Sequence, residues 1–129
     1  SELYKDVFLF HWREESQHAI LDELEWRREN EHLSDDERDR AVADLIDLVV
    51  AVDGILQSQS EADANYFCLI AGRVFDAGER VRVREGLLRA YRWQYILSGV
   101  QEPRFSSILG SLINEQQGDR IGTALCTLI

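Results

Sequence analysis

The sequence contains no methionine, one proline and two cysteines in 129 residues. Each scarcity excludes something. Two cysteines cannot form a disulfide framework, and neither Cys68 nor Cys126 has a histidine or second cysteine at metal-binding spacing. Both sit among apolar residues and read as buried, reduced thiols of a cytosolic protein. A single proline in a chain that is 45% apolar suits a mainly helical globular protein. There is no long apolar run either. The longest, Leu45 to Leu56, is broken by Asp47 and Asp53, so nothing here spans a membrane, and no signal peptide is visible. Basic residues are scarce in the first half, where residues 1–63 hold 6 Lys/Arg against 18 Asp/Glu; residues 64–129 hold 8 against 6. A net charge of −10 without a basic stripe argues against nucleic acid as a partner. The one basic cluster, Arg80 to Arg92, reads as a solvated helix face that pairs with acidic neighbours. No glycine-rich phosphate loop, no Cys/His pair and no serine in a strand-to-helix elbow is present.

What is there is helical periodicity over nearly the whole length. The chain is long enough for one domain with a sizeable core. A first helix is expected from about Leu3 to His32, turning fully polar after Arg27 so that its end projects into water. Ser34 is a strong N-cap, with Glu37 placed to reach back in a capping box. The helix it opens is apolar almost all round from Ala41 to Leu56, which predicts a central, buried element. It is expected to continue to Ala71 with Gly72 as its C-terminal cap, and Tyr66, Phe67, Leu69 and Ile70 extend its buried face. Residues 72–78 form a loop. A third helix runs from about Glu79 to Ser98, with Gly99 as its stop and its aromatic residues as core. Pro103 opens a short fourth helix over Phe105 to Ile113. Asn114-Glu115-Gln116-Gln117 is a further capping box, leading a last helix to about Leu128. The sum is an all-α fold, an antiparallel bundle of about four to five long helices in one domain.

The chemistry lies in the first helix. His11-x-x-x-Glu15-x-x-His18 places its side chains within a narrow arc, because an α-helix turns about 100° per residue. With His11 at zero, Glu15 falls near about +40°, His18 near about −20° and Asp22 near about +20°. Two imidazoles and two carboxylates thus share one stripe, flanked by large apolar residues. All three histidines of the chain lie in or just beyond this helix. Imidazole and carboxylate both suit iron. Asp47, on the polar side of the second helix, is a weaker candidate, either as a ligand or as an acceptor behind His11 or His18. Its ordinary reading is a solvated carboxylate.

The Glu15-x-x-His18 pair resembles the ligand motif of the ferritin-like di-iron carboxylate proteins. The extra His11 is similar to the arylamine N-oxygenase subgroup, in which one helix supplies His, Glu and His. The run His11-Trp12-Arg13-Glu14-Glu15-Ser16-Gln17-His18-Ala19 also looks like a bacterial branch of that superfamily. Arg92-Trp93-Gln94-Tyr95-Ile96-Leu97-Ser98-Gly99 looks like a second landmark of it. The resemblance implies a site with two iron ions, or manganese, that activates O₂ and oxidises a small organic substrate. By the same resemblance His11, Glu15 and His18 are metal ligands, the carboxylate bridging and each imidazole binding one ion. Asp22 or Glu14 would then orient an imidazole from behind.

The sequence departs from the family in one respect. Such a site needs ligands from four helices, and only one convincing ligand helix is present. The other Glu-x-x-His, Glu29-x-x-His32, lies at the polar end of the same helix. The remaining ligands are expected from another chain, most simply a second copy in a homodimer, or from sequence preceding Ser1. The absence of methionine even at position 1 reads as a processed chain or a piece of a longer one lacking its N-terminal helices. The alternative is a metal-free helical association or scaffold module.

Overall fold

A computed structural model of the chain describes residues 1–128, and every regular element among them is helical. The all-α expectation is met, with five helices. They are α1 (Glu2–Asn30), α2 (Asp35–Ile70), α3 (Ala77–Arg92), α4 (Pro103–Leu112) and α5 (Glu115–Cys126). Helix α3 runs on through a π-helical segment, Trp93–Leu97, into a last turn, Ser98–Val100. No helix among the described residues is long and apolar enough to cross a membrane. Two compact units divide the chain, Ser1–Arg38 and Asp39–Ile129.

The first unit consists of α1 and the turn into α2. Ser1 caps α1, its hydroxyl accepting from the Tyr4 N–H at 3.3 Å. Ion pairs one turn apart line the helix: Lys5–Glu2 at 2.8 Å, Arg27–Glu23 at 3.2 Å, and Arg28 with both Glu25 and Glu29. The capping box at Ser34 forms as its sequence requires. The Ser34 N–H donates to Glu37 Oε2 at 2.8 Å, and the Glu37 N–H donates to Ser34 Oγ at 3.4 Å. Arg38 then reaches back to the end of α1, donating to the Asn30 side-chain and main-chain oxygens, both at 3.2 Å. The polar end of α1 was expected to stand in water. Arg28, Glu29, Glu31 and His32 are exposed as expected, whereas Arg27 and Asn30 are half-buried, Asn30 under the grip of Arg38.

In the second unit the fold is organised by one stripe of α2. Val42, Asp53, Leu56, Ser60, Ala64 and Cys68 are buried, and their spacing follows the helical repeat. As expected, α2 continues unbroken and ends where Gly72 takes φ +70°, the left-handed conformation that glycine adopts without steric cost. The expectation of burial all round is not met. Leu48, Val50, Ile55, Tyr66, Phe67, Leu69 and Ile70 are exposed. One face of α2 finds partners, and the remaining apolar residues point away from them. Cys126, expected to be buried, is likewise exposed, whereas Cys68 is buried.

Asp76 caps α3 in a capping box with Glu79 (2.7 and 2.9 Å), so that helix starts two residues earlier than its periodicity alone suggests. Arg73 pairs with the same Glu79 at 3.0 Å and stacks over the Phe75 ring. The Asp76 amide and Arg73 together hold the Glu79 carboxyl below its ordinary range. Pro103 occupies the first position of α4, and Glu102 caps it through the Phe105 N–H at 2.7 Å. Asn114 and Gln117 cap α5 reciprocally, as expected. Leu56, Ile96 and Leu128 form the centre of the core, with Val49, Val52, Leu88, Tyr91 and Leu125 packed around them.

One buried ion pair joins these helices. Asp53 of α2 accepts from Arg92 of α3 through both carboxylate oxygens, at 2.7 and 2.9 Å. Gln57 donates to the same carboxylate at 2.6 Å, and Arg92 also reaches the Leu128 carbonyl at 3.5 Å. The guanidinium holds the Asp53 carboxyl below its ordinary pKa, against the opposing effect of burial. A lowered folded-state pKa means that this pair's contribution is present above the unfolded value, about 3.9, and is lost as the pH falls through the lowered folded value. Arg92→Ala strands a buried carboxylate and is expected to cost about 3 kcal/mol in urea unfolding at neutral pH. The gap between wild type and variant should narrow below about pH 4, where protonation removes the uncompensated charge. A gap that stays constant across that range would show that Arg92 acts through packing alone.

Candidate metal centre on the first helix

Helix α1 carries the three strongest candidates, and the structure brings them together. The Glu15 carboxylate lies between two imidazoles. Its Oε1 is 3.7 Å from His11 Nε2, and its Oε2 is 3.6 Å from His18 Nδ1. These separations exceed hydrogen-bond length. Two ligands of one metal ion, with bonds of about 2.1 Å and angles of about 90–120°, stand about 3.0–3.6 Å apart; the His18 separation reaches the upper end of that range and the His11 separation slightly exceeds it. Each oxygen faces a different imidazole, so the donor set suits two ions with the carboxylate between them. It is also loose. The side chains of His11, Glu15 and His18 are 63%, 56% and 55% exposed.

Asp22 is exposed on α1, and Asp47 is exposed on α2 in the second unit. Glu14 and His32 are exposed as well. Among the described residues no group of three or more histidine, cysteine, aspartate and glutamate side chains is placed to hold a metal ion by itself. Three donors along one helix face leave most coordination positions of an ion pair open. The donor chemistry therefore fits iron or manganese, while closure of a site requires ligands beyond those that α1 presents.

The surroundings of this stripe are apolar and uncovered. No residue of α1 is buried. Tyr4 is 64% exposed, Phe8 54% and Trp12 67%. Tyr4 and Phe8 meet at a tilt of 42° with ring centroids 4.6 Å apart, which shelters each ring only in part. The sequence expectation of apolar residues flanking the ligand stripe holds for position along the helix. The dry, inward-facing environment that metal ligands ordinarily occupy is not supplied by the described residues.

Sequence reading missed the pairing of Asp53 with Arg92. An acid inside the most apolar run of the chain was the available signal, and an arginine beside the aromatic segment Trp93–Tyr95 was its counterpart. Neither residue names its partner, since 39 positions separate them. Tyr91 similarly donates to Asp63 at 2.6 Å, lowering that carboxyl's pKa and raising its own.

Comparison with protein-family models, curated proteins and solved structures finds no match to the chain.

A helix with no buried side chain keeps its hydrogen bonds only by local interactions, and such helices are marginal in water. Amides between Leu9 and Leu21 are expected to exchange with opening free energies below about 2 kcal/mol. Amides around Leu56 should approach the global limit. Hydrogen-exchange mass spectrometry on the free chain measures both, and equal protection of the two segments would mean that α1 is covered in solution.

Proposed function

We propose that the chain is a ferritin-like di-iron-type protein in which α1 serves as one ligand helix. The observation that carries this reading is the Glu15 carboxylate, whose two oxygens face His11 Nε2 at 3.7 Å and His18 Nδ1 at 3.6 Å. The ligands His11, Glu15 and His18 would hold iron, or manganese, and Asp22 one turn further on would accept from the free N–H of an imidazole and orient its ring. The bound metal would supply activation of O₂ for oxidation of a small organic substrate. The protein's own share is to hold both imidazoles on one face, to leave Glu15 free to share its oxygens, and to exclude water once the apolar flank of α1 is covered. The remaining ligands would come from a second copy or from another polypeptide segment packed on that flank.

A second reading is favoured by the exposure of Leu3, Tyr4, Val7, Phe8 and Leu21 on the same helix. In it, α1 is an association surface without a metal, and the fold is a helical scaffold.

Elemental analysis of protein purified without chelators separates the two. The metal reading expects about one to two iron or manganese ions per completed site, after anaerobic loading if necessary, with loss of most of the metal in His18→Ala. Metal absent from both proteins, together with association that survives a chelator, supports the scaffold and removes the di-iron reading.

A further inference from the structure

The second unit contains an apolar concavity beside the core. It has a volume of about 270 Å³ and is bounded by four helices. Leu45 and Val49 line it from α2, Tyr95 and Gly99 from the α3 extension, Phe105 from α4 and Ile121 from α5. No charged side chain lines it, and the Tyr95 hydroxyl is the one polar side-chain group among its lining residues. Water against these walls finds few polar partners, so an apolar molecule that displaces it loses little hydrogen bonding. Apolar cavities of about 150 Å³ take up a benzene-sized molecule in preference to water. This one is larger, with room for a molecule of about two rings.

We propose that this cavity is a binding site for a small, uncharged aromatic or branched aliphatic compound bearing at most one hydroxyl or amine. Three features favour a small molecule over a docked helix. The space is a half-open cleft whose walls come from four helices meeting at one place, whereas a helix partner needs a long trough between two. Its wall includes the π-helical turn, in which the Ser98 N–H donates to the Trp93 carbonyl five residues back. Single π turns are a frequent means of shaping a functional site within a helix. Ile96 in that turn touches both the core and the cavity, so the site is continuous with the core of the unit. Finally, Gly99 leaves the wall open, because a Cβ built there meets no atom within 4 Å. The site stands without the metal reading, and its test needs no metal.

Titration calorimetry of the full chain with 1-naphthol, uncharged at neutral pH, tests the proposal. One molecule per chain is expected to bind with a dissociation constant on the order of 10–100 μM. Gly99→Leu places its side chain in the open space and should weaken binding about tenfold or more, with an unchanged or raised Tm because a helical glycine is replaced. Tyr95→Phe should weaken 1-naphthol by a smaller factor and leave naphthalene unaffected. The anion 1-naphthoate should bind at least about tenfold more weakly than 1-naphthol. The proposal is overturned by absent or unsaturable binding, by undiminished binding in a folded Gly99→Leu variant, or by equal affinity for the anion. It is also overturned if light scattering shows a dimer that Gly99→Leu disrupts and 1-naphthol does not, since the groove would then belong to a second copy.

Discussion

A carboxylate taken out of water must find a cation, and in this protein that requirement ties three parts of one unit together. Asp53 sits in the buried stripe of α2, where an unpaired charge would be strongly destabilising. Arg92 satisfies both of its oxygens from α3 and reaches on to the Leu128 carbonyl near the chain's end. The planar guanidinium suits this task, because its donors meet both carboxylate oxygens at once while another N–H remains for a main-chain oxygen. The apolar contacts of Leu56, Ile96 and Leu128 are non-directional and would tolerate several registers. The bidentate pair selects one of them, which is the kind of specificity a buried ion pair can add even where it adds little net stability.

The same unit shows how a small core leaves function behind. Once Leu56, Ile96 and Leu128 are packed, the apolar surface of α2 is larger than its neighbours can cover. Part of the excess lines the four-helix cavity, and part, including Val50 and Ile55, faces outward. The π turn at Trp93–Leu97 is where the demands meet, since Ile96 must enter the core while Tyr95 and Gly99 lie along the cavity. Helix α1 illustrates the opposite limit. Its shape rests on a cap, on ion pairs a turn apart and on the grip of Arg38 on Asn30, and its apolar side chains contribute almost nothing to a core. A helix of that kind holds ligands in register along its axis but cannot by itself dry them.

Much of the fold could be read from local chemistry. The capping pairs Ser34/Glu37 and Asn114/Gln117, the glycine at 72 and the proline at 103 mark boundaries that depend only on neighbouring residues. The arc shared by His11, Glu15 and His18 was equally legible, because helical geometry alone places them side by side. Burial was less so. The apolar positions of α2 look alike in sequence, yet Leu56 is buried and Leu69 is 80% exposed, a difference made by the presence or absence of a facing helix. Cys68 and Cys126 divide in the same way.

The division between the two levels has a physical cause. Hydrogen bonds within a helix, its caps and its side-chain periodicity act over a few residues, so the sequence by itself determined that this protein is all-α, where its helices begin and end, and which donors share one face of α1. Pairings such as Asp53 with Arg92 and Asp63 with Tyr91, the centre of the core, and the cavity beside the π turn depend on residues far apart in the chain. Only the tertiary structure decided those, because the energy of a buried charge or an apolar contact is set by whatever packing brings against it.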